Sequence, residues 1–137
     1  MVEYDIVRYL GEDATLDTLL GVIASDEKIY PDKPPTEATL PYILYYESIN
    51  PPDEILDVDR IQLTIRASTK LAATNIRDRL KILLDKEDKI QQTTLTTGST
   101  TYHIYYCKLD GGSRFWEPVT EIWNQVMFFL VKYRKKD

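Results

Sequence analysis

The spacing of apolar residues predicts two short helices at the start of the chain. Val2, Ile6 and Leu10 recur at helical spacing, and Gly11 is suited to end this first helix in a left-handed conformation. Asp13 is a suitable N-cap for a second helix. The second helix has an apolar stripe with the spacing of a buried face, formed by Leu16, Leu19, Leu20 and Ile23.

After these helices the pattern changes to that of strands. Residues 25–39 contain Pro31, Pro34 and Pro35, which cannot donate ladder hydrogen bonds, so a long and stiff loop is expected. Residues 41–48 then form a predicted strand whose two faces are both largely apolar or aromatic. A second strand at 59–67 alternates cleanly, and its inward residues are Ile61, Leu63, Ile65 and Ala67.

The second of these strands leads directly into the main packing helix of the chain. Ser68 or Thr69 is positioned to cap a helix that continues to about Leu84. The residues that repeat near a period of 3.6 are Ala72, Ile76, Leu80, Leu83 and Leu84. This stripe is expected to pack on the sheet.

The rest of the chain has the pattern of hairpins and a final strand. Turns are expected at Thr97–Gly98 and at residues 110–112, where glycines permit positive φ. The last strand, at 124–133, is apolar on both faces, and so is the predicted strand at 102–109. Because a single helical layer covers only one face of an antiparallel sheet, either the first two helices or another subunit must cover the second face. The subunit contact is favoured, with an interface formed by Met127, Phe129, Val131 and Tyr133.

Length and composition limit the fold to one domain. The chain has 137 residues, 43% of them hydrophobic, which is sufficient for one core and too little for two. The fold class predicted is α+β: an antiparallel β-sheet packed against a main helix, with N-terminal helices, in a single domain over residues 1–137. The sequence shows neither the roughly 18-residue apolar run of a membrane helix nor a signal peptide, so a soluble intracellular product is expected.

The residues available for chemistry are few. One cysteine and one histidine exclude a disulfide framework and a Cys/His zinc cluster within the chain, and no cofactor or metal is expected. His103 and Cys107 lie mid-strand among tyrosines and are interpreted as packed sheet residues. The carboxylates at 53–59 lack the glycine-bearing spacing of a calcium loop. A small enzyme and a nucleic-acid-binding module that uses the basic end "KYRKKD" remain as alternatives from other classes.

Charge is distributed unevenly along the sequence. Residues 1–57 hold 3 basic and 13 acidic side chains, a net −10, whereas residues 58–137 hold 14 and 9, a net +5. Such a charge dipole either steers head-to-tail contacts between copies or only reflects two solvated surfaces of opposite sign.

The order of segments resembles the tail terminator family of long-tailed bacteriophages, also called tail completion or minor tail proteins. The resemblance lies in "LDTLLGVIA", "IYPDKPP", "TLPYILYYES", the strand "DRIQLTIRAST" running directly into "KLAATNIRDRLKILL", and "LDGGSRFW". It covers most of the chain. Residues 117–137 extend beyond the family pattern as an additional C-terminal strand with a basic tail.

The resemblance implies a non-enzymatic virion protein that forms a ring, expected to be hexameric. Such a ring ends tail-tube polymerisation and joins the tail to the head connector, with DNA passing through it without specific binding. A head-tail connector or stopper protein of the neck is the alternative. Because carboxylates repel phosphates, Asp53, Glu54 and Asp57 are expected to face the channel or the tube-docking rim, in a loop stiffened by Pro51 and Pro52. A solvent-facing loop remains the competing interpretation.

Overall fold

The computed structural model describes residues 2–22, 27–49, 57–85, 93–97 and 100–136, with side chains described for 6–22, 27–46, 60–85 and 107–133. Three helices and six strands occur in these ranges. The helices are α1 (Val2–Gly11), α2 (Ala14–Leu20) and α3 (Lys70–Leu84). The strands are β1 (Ile29–Pro31), β2 (Tyr42–Ile49), β3 (Asp57–Ala67), β4 (Thr93–Thr97), β5 (Thr100–Glu117) and β6 (Ile122–Lys136).

The six strands form one sheet in the order β1-β2-β3-β6-β5-β4. Every pairing is antiparallel except that of β1 with β2, which is parallel. Residues of all three helices share one core cluster with one face of this sheet. The predicted α+β class, with a main helix and N-terminal helices on a largely antiparallel sheet, is therefore confirmed.

The local predictions for β3 and α3 agree with the structure. The four inward residues of β3 are at most 1% exposed, and Thr69 caps α3 by accepting a hydrogen bond from the amide of Ala72 at 3.1 Å. The buried stripe of α3 consists of Ala73, Ile76, Leu80, Leu83 and Leu84. Ala72, which was predicted in this stripe, lies beside it and is half-buried.

The N-terminal helices follow the predicted positions with one difference. Asp13 caps α2, since its carboxylate accepts a hydrogen bond from the amide of Leu16 at 2.7 Å. The left-handed glycine is Gly21, at the end of α2 with φ 71, whereas the prediction placed such a residue at Gly11. A residue with positive φ is needed at Gly21 because its amide bonds back to the last turn of the helix.

Two connections differ from the sequence prediction. The expected loop at 25–39 contains β1, because Ile29 and Tyr30 pair in parallel with β2 before the prolines end the strand. The turn expected at 110–112 is instead a bulge within β5, where the register to β6 shifts between Leu109 and Gly112. The chain reverses further on, at residues 118–121 between the end of β5 and the start of β6, where Glu121 has a φ of 55.

The segment predicted as a C-terminal extension contains β6, a central strand. β6 pairs with β3 along eleven positions, from Asp57–Tyr133 to Ala67–Trp123, and with β5 on its other side. A strand bonded on both edges and buried on one face belongs to the core of the domain, so this segment is integral to the sheet.

An ion pair joins α2 to α3. Arg79 donates two hydrogen bonds to the Asp13 carboxylate, Nε to Oδ2 at 2.9 Å and Nη2 to Oδ1 at 2.6 Å. The Asp13 side chain is 15% exposed. These hydrogen bonds from Arg79 lower the pKa of the Asp13 carboxyl. One carboxylate therefore both begins α2 and docks it on α3.

We expect the Asp13→Asn variant to be less stable than the parent by about 1 to 2 kcal/mol at pH 7. The folded-state pKa is below the unfolded value near 4, so the contribution of the carboxylate is fully present above pH 4. It is lost as the pH falls through the folded-state pKa. Urea unfolding at pH 7 and at about pH 3 measures both effects, and the difference between the two proteins should shrink in acid. Asp78→Asn, at an exposed ion pair with Arg77, is the matched control. An equal loss at both pH values would contradict the role of the charge.

Candidate assembly surfaces

The residues predicted as a subunit interface lie in the core of the chain itself. Met127, Phe129 and Val131 are at most 2% exposed, and Tyr133 is half-buried against them. They face the layer that holds α1, α2 and α3, since they share the core cluster with Ile6 and Ile76. The prediction is corrected accordingly: the chain's own helices cover this face, so these side chains are not available to a neighbour.

The acidic residues proposed for a channel are only partly within the described structure. Asp53 and Glu54 lie outside the described residues. Asp57 is the first residue of β3, paired with Tyr133, and its side chain lies outside the described part. The channel or rim assignment of these three carboxylates stays a prediction.

The face of the sheet opposite the helices is a candidate surface. In β3 and β6 it carries alternating polar and apolar residues that pair across the strands, such as Arg60 with Leu130 and Gln62 with Phe128. β2 adds Tyr46 and Leu44 to the same face, opposite Gln62 and Thr64. No described helix lies on this face. We call it the uncovered face.

Two arginines of the uncovered face lie over aromatic rings. The Arg60 guanidinium is 4.1 Å from the ring centroid of Phe128, and that of Arg66 is 5.7 Å from the ring centroid of Tyr42. Arg66 also donates a hydrogen bond to the Tyr42 hydroxyl at 2.8 Å. Cation–π contact fixes the plane of each guanidinium, so both cations are held in a defined orientation before anything binds.

Glu117 organises the end of the β5–β6 hairpin. Its carboxylate accepts hydrogen bonds from Asn124 at 2.6 Å, from Thr120 at 3.0 Å and from Arg66 at 3.4 Å. The hydrogen bond from Asn124, followed by those from Thr120 and the charge of Arg66, lowers the pKa of Glu117. Its negative charge is thus neutralised locally, and the hairpin end is held to β3.

A shallow depression of about 450 Å³ lies between these groups on the uncovered face. Its wall is polar at Gln62, Arg66 and Glu117 and apolar at Leu44 and Val126. Asn124 and Thr64 at its floor are 3% and 8% exposed. A mixed lining of this kind suits a protein segment with both charged and apolar side chains better than a small apolar ligand.

Large hydrophobic side chains are exposed at one end of the molecule. Phe115 and Trp116 are 47% and 46% exposed near the end of β5, and Val119 in the following turn is 96% exposed. Leu71, 69% exposed at the start of α3, belongs to the same end because β3 pairs with β6 at Ala67–Trp123 just before α3 begins. Exposed apolar groups concentrated at one place usually mark an interaction site.

A second, more acidic depression of about 380 Å³ lies beside β1. Glu27 and Glu37 line it, and both are exposed, as is the nearby Asp32. Burial, followed by the charge of Asp17, raises the pKa of Glu27. Lys28 is only 8% exposed, and this burial lowers its pKa. The exposed charges here are three carboxylates and the ammonium of Lys33. We call the carboxylates of Glu27, Asp32 and Glu37 the acidic surface.

Cys107 is a buried core residue, in agreement with its interpretation from the sequence. It is fully buried, and desolvation raises its pKa to about 12. The side chain of His103 lies outside the described residues, so its interpretation as a packed sheet residue stays a prediction.

We expect the Cys107 thiol to be unreactive in the folded protein. A thiol with a pKa near 12 is almost entirely protonated at pH 8, and the thiolate is the nucleophile. A chromogenic disulfide reagent should therefore modify it at least about a hundredfold more slowly in buffer than in denaturant. Rapid stoichiometric labelling of the folded protein would show that the β5–β6 region opens readily.

The described part of the chain contains no group of three or more histidine, cysteine, aspartate or glutamate residues arranged to hold a metal ion. None of the helices in the described part of the chain is both long enough and apolar enough to cross a membrane.

The fold is similar to that of one chain in the structure described as "Virion of native gene transfer agent (GTA) particle". The TM-score is 0.72, and the match covers 95% of this chain and 92% of that chain. Sequence identity is 13%, so the likeness establishes a shared fold. No family model matches the sequence, and no curated protein matches it either.

Sequence reasoning missed the uncovered face as the candidate surface. The alternation in β3 indicated that Arg60 and Arg66 point away from the core, and this signal was available. Nothing in the pattern of β6 indicated that its face with Val126 and Phe128 would join them, because both faces of β6 are apolar.

Proposed function

We propose that this protein is a structural component of a phage-like virion, a tail terminator that forms a ring on the end of the tail tube. The observation that carries the proposal is the shared fold with a chain of a gene transfer agent virion over nearly the full length of both chains. In this role the ring ends tube polymerisation and joins the tail to the head connector. The protein acts in the tail or neck of the virion, after assembly in the host cytoplasm.

The surfaces of the molecule support a role in assembly. The uncovered face and the exposed apolar end are two surfaces of one small domain that meet at Phe115, which lines the depression on the uncovered face. A ring subunit that also docks on a tube needs at least two such surfaces, one for its neighbours and one for the tube. Cys107 is the one cysteine of the chain, and its thiol is buried and protonated, so it is a poor nucleophile.

The proposal assigns three kinds of partner to the chain. Further copies complete the ring, which we propose to be hexameric, and the tail tube protein and the head-tail connector bind its two ends. DNA passes through the ring without specific binding. Asp53, Glu54 and Asp57 are proposed to face the channel or the tube-docking rim, where carboxylates repel phosphates.

Tube assembly in the presence of the protein tests this function. The tail tube protein of the same phage-like particle would be polymerised with and without this chain, and tube lengths would be measured by electron microscopy. We expect shorter tubes, each with a ring at one end. Binding to the isolated connector without any effect on tube length would indicate a stopper protein of the neck instead.

A matched variant makes this test specific to the exposed apolar end. Val119→Asp places a charge at a fully solvated turn position, where the effect on folding should be small. If the apolar end docks on the tube, this variant should cap tubes at least about tenfold less well than the parent. Glu121→Gln in the same turn serves as the control.

A further inference from the structure

We propose that the uncovered face of one copy, anchored by Arg60 and Arg66, binds the acidic surface of a second copy at Glu27, Asp32 and Glu37. The inference rests on the proposed function and deepens it, because it assigns the contact between neighbours in the ring. It commits to a second copy of this chain as the occupant of the uncovered face.

The described charges of the uncovered face are mostly positive. Four basic side chains lie on it by strand register, against two acidic ones, which form ion pairs with Arg60 and Arg66. The basic residues are Arg60, Arg66, Lys108 and Lys132, and the acidic residues are Asp110 and Glu117. The described face therefore carries more basic than acidic side chains, although the whole chain has a net charge of −5.

Arg60 is the best placed anchor. Its side chain is 41% exposed, and its nearest described carboxylate, that of Asp110, is 3.7 Å from Nε. This distance is too long for a hydrogen bond, although the two groups form an ion pair, and Nε is buried without a hydrogen-bond partner among the described residues. A second copy can therefore reach this guanidinium only at its two Nη groups. Stacking on Phe128 holds the guanidinium plane, so its Nη groups can donate hydrogen bonds to a carboxylate with little loss of side-chain entropy.

Arg66 has the same arrangement but is tied to its surroundings. It bonds to Tyr42 and Glu117, while its Nε also has no hydrogen-bond partner in the described part of the chain. It lines the depression of about 450 Å³, so a side chain that enters this depression meets a fixed cation at the wall. Arg60 and Arg66 together give the face two positive contact points six residues apart on β3, with Gln62 and Thr64 between them on the same face.

The chain itself supplies the complementary surface. Residues 1–57 carry a net charge of −10, and the carboxylates of Glu27, Asp32 and Glu37 are exposed in the β1 region. Because the acidic surface and the uncovered face are different parts of one chain, each copy can use both at once. Such a contact is heterologous, and it repeats from copy to copy until a ring closes.

A second copy fits this face better than DNA does. Cationic faces also bind phosphates, but the net charge of the chain is negative and its acidic half would repel a polyanion. Two of the cations are stacked on rings within a strand face, which suits carboxylates of a folded partner.

Two groups of variants block the two halves of the contact separately. Arg60→Glu reverses the anchor, and Gln62→Glu adds a negative charge on the same face without removing the Arg60–Phe128 stack. A triple variant with Glu27→Gln, Asp32→Asn and Glu37→Gln neutralises the acidic surface. Arg77→Glu, on α3 in the helical layer, is the matched control for charge reversal. Thermal melting and circular dichroism establish that each variant is folded.

Light scattering after size exclusion then measures association at low and high salt. We expect the parent and Arg77→Glu to associate, more strongly at about 0.05 M than at about 0.5 M salt. Arg60→Glu, Gln62→Glu and the triple variant should each associate at least about tenfold more weakly. A mixture of Arg60→Glu with the triple variant should form heterodimers that grow no further, since each retains the half that the other lacks.

Three association results would overturn the inference. They are a parent that stays monomeric at high concentration, face variants that associate like the parent, and a mixture that gives no heterodimer. Retention of duplex DNA by the parent, lost in Arg60→Glu while association is unchanged, would assign the face to DNA instead. Tube capping is a separate measurement: if Arg60→Glu still caps tubes as the parent does, this inference fails and the proposed function stands.

Discussion

The Phe129→Ala variant is expected to lose about 3 to 5 kcal/mol of unfolding free energy. Phe129 is the largest of the fully buried side chains, 1% exposed, and it lies on the central strand β6 between Ile61 and Leu109. Removing most of its ring leaves a cavity that strands paired on both edges cannot close. Urea unfolding monitored by tryptophan fluorescence measures the loss.

The neighbouring Phe128 gives the control for this prediction. It points to the uncovered face, is half-buried, and contacts the Arg60 guanidinium. Phe128→Ala should therefore cost clearly less than Phe129→Ala. If Phe129 instead formed a subunit interface, its replacement would change association and leave the unfolding of the separated monomer intact. Equal stability of the two variants would remove Phe129 from the core.

The Gly112→Ala variant should cost about 3 kcal/mol of stability, more than a surface glycine normally does. A Cβ at this position would overlap the carbonyl oxygen of Val126 and approach its carbonyl carbon to 3.1 Å. Both are backbone atoms of the paired strand β6, so no rotamer change relieves the contact. β5 and β6 would have to separate at the bulge, which weakens ladder hydrogen bonds on both sides.

Gly111 provides the comparison at the adjacent residue. Its φ is 93, a conformation that costs an L-residue roughly 1 to 2 kcal/mol, but no atom lies within 4 Å of an added Cβ. Gly111→Ala should therefore be destabilising by about that strain alone. Thermal melts of the two variants show which substitution causes the larger loss of stability. A larger loss at Gly111 than at Gly112 would mean that strain, not the close approach of the two strands, controls this bulge.

Local patterns in the sequence were sufficient to predict most elements and their faces. Asp13 and Thr69 cap α2 and α3 because the interaction between a side-chain oxygen and an amide three residues later is independent of the rest of the fold. The inward residues of β3 follow from its alternation, since a strand places successive side chains on opposite faces.

The sequence alone was insufficient where two local outcomes have similar energy. Asp110, Gly111 and Gly112 suit a hairpin turn and a bulge equally well, because both need a residue with positive φ. The bulge is formed because β5 continues along β6 for its whole length. The short β1 was missed for a related reason, since three residues that end in a proline form a strand only when β2 is beside them.

The sequence by itself determined the α+β class, the caps, the main helix and the two sets of residues on β6. It could not determine which set is covered, because Val126 and Phe128 are as apolar as Met127 and Phe129. The tertiary structure decided this by placing β6 between β3 and β5 and by docking α2 on α3 through Asp13 and Arg79. Strand order and helix docking depend on contacts between residues far apart in sequence, and periodicity within one segment contains no information about them.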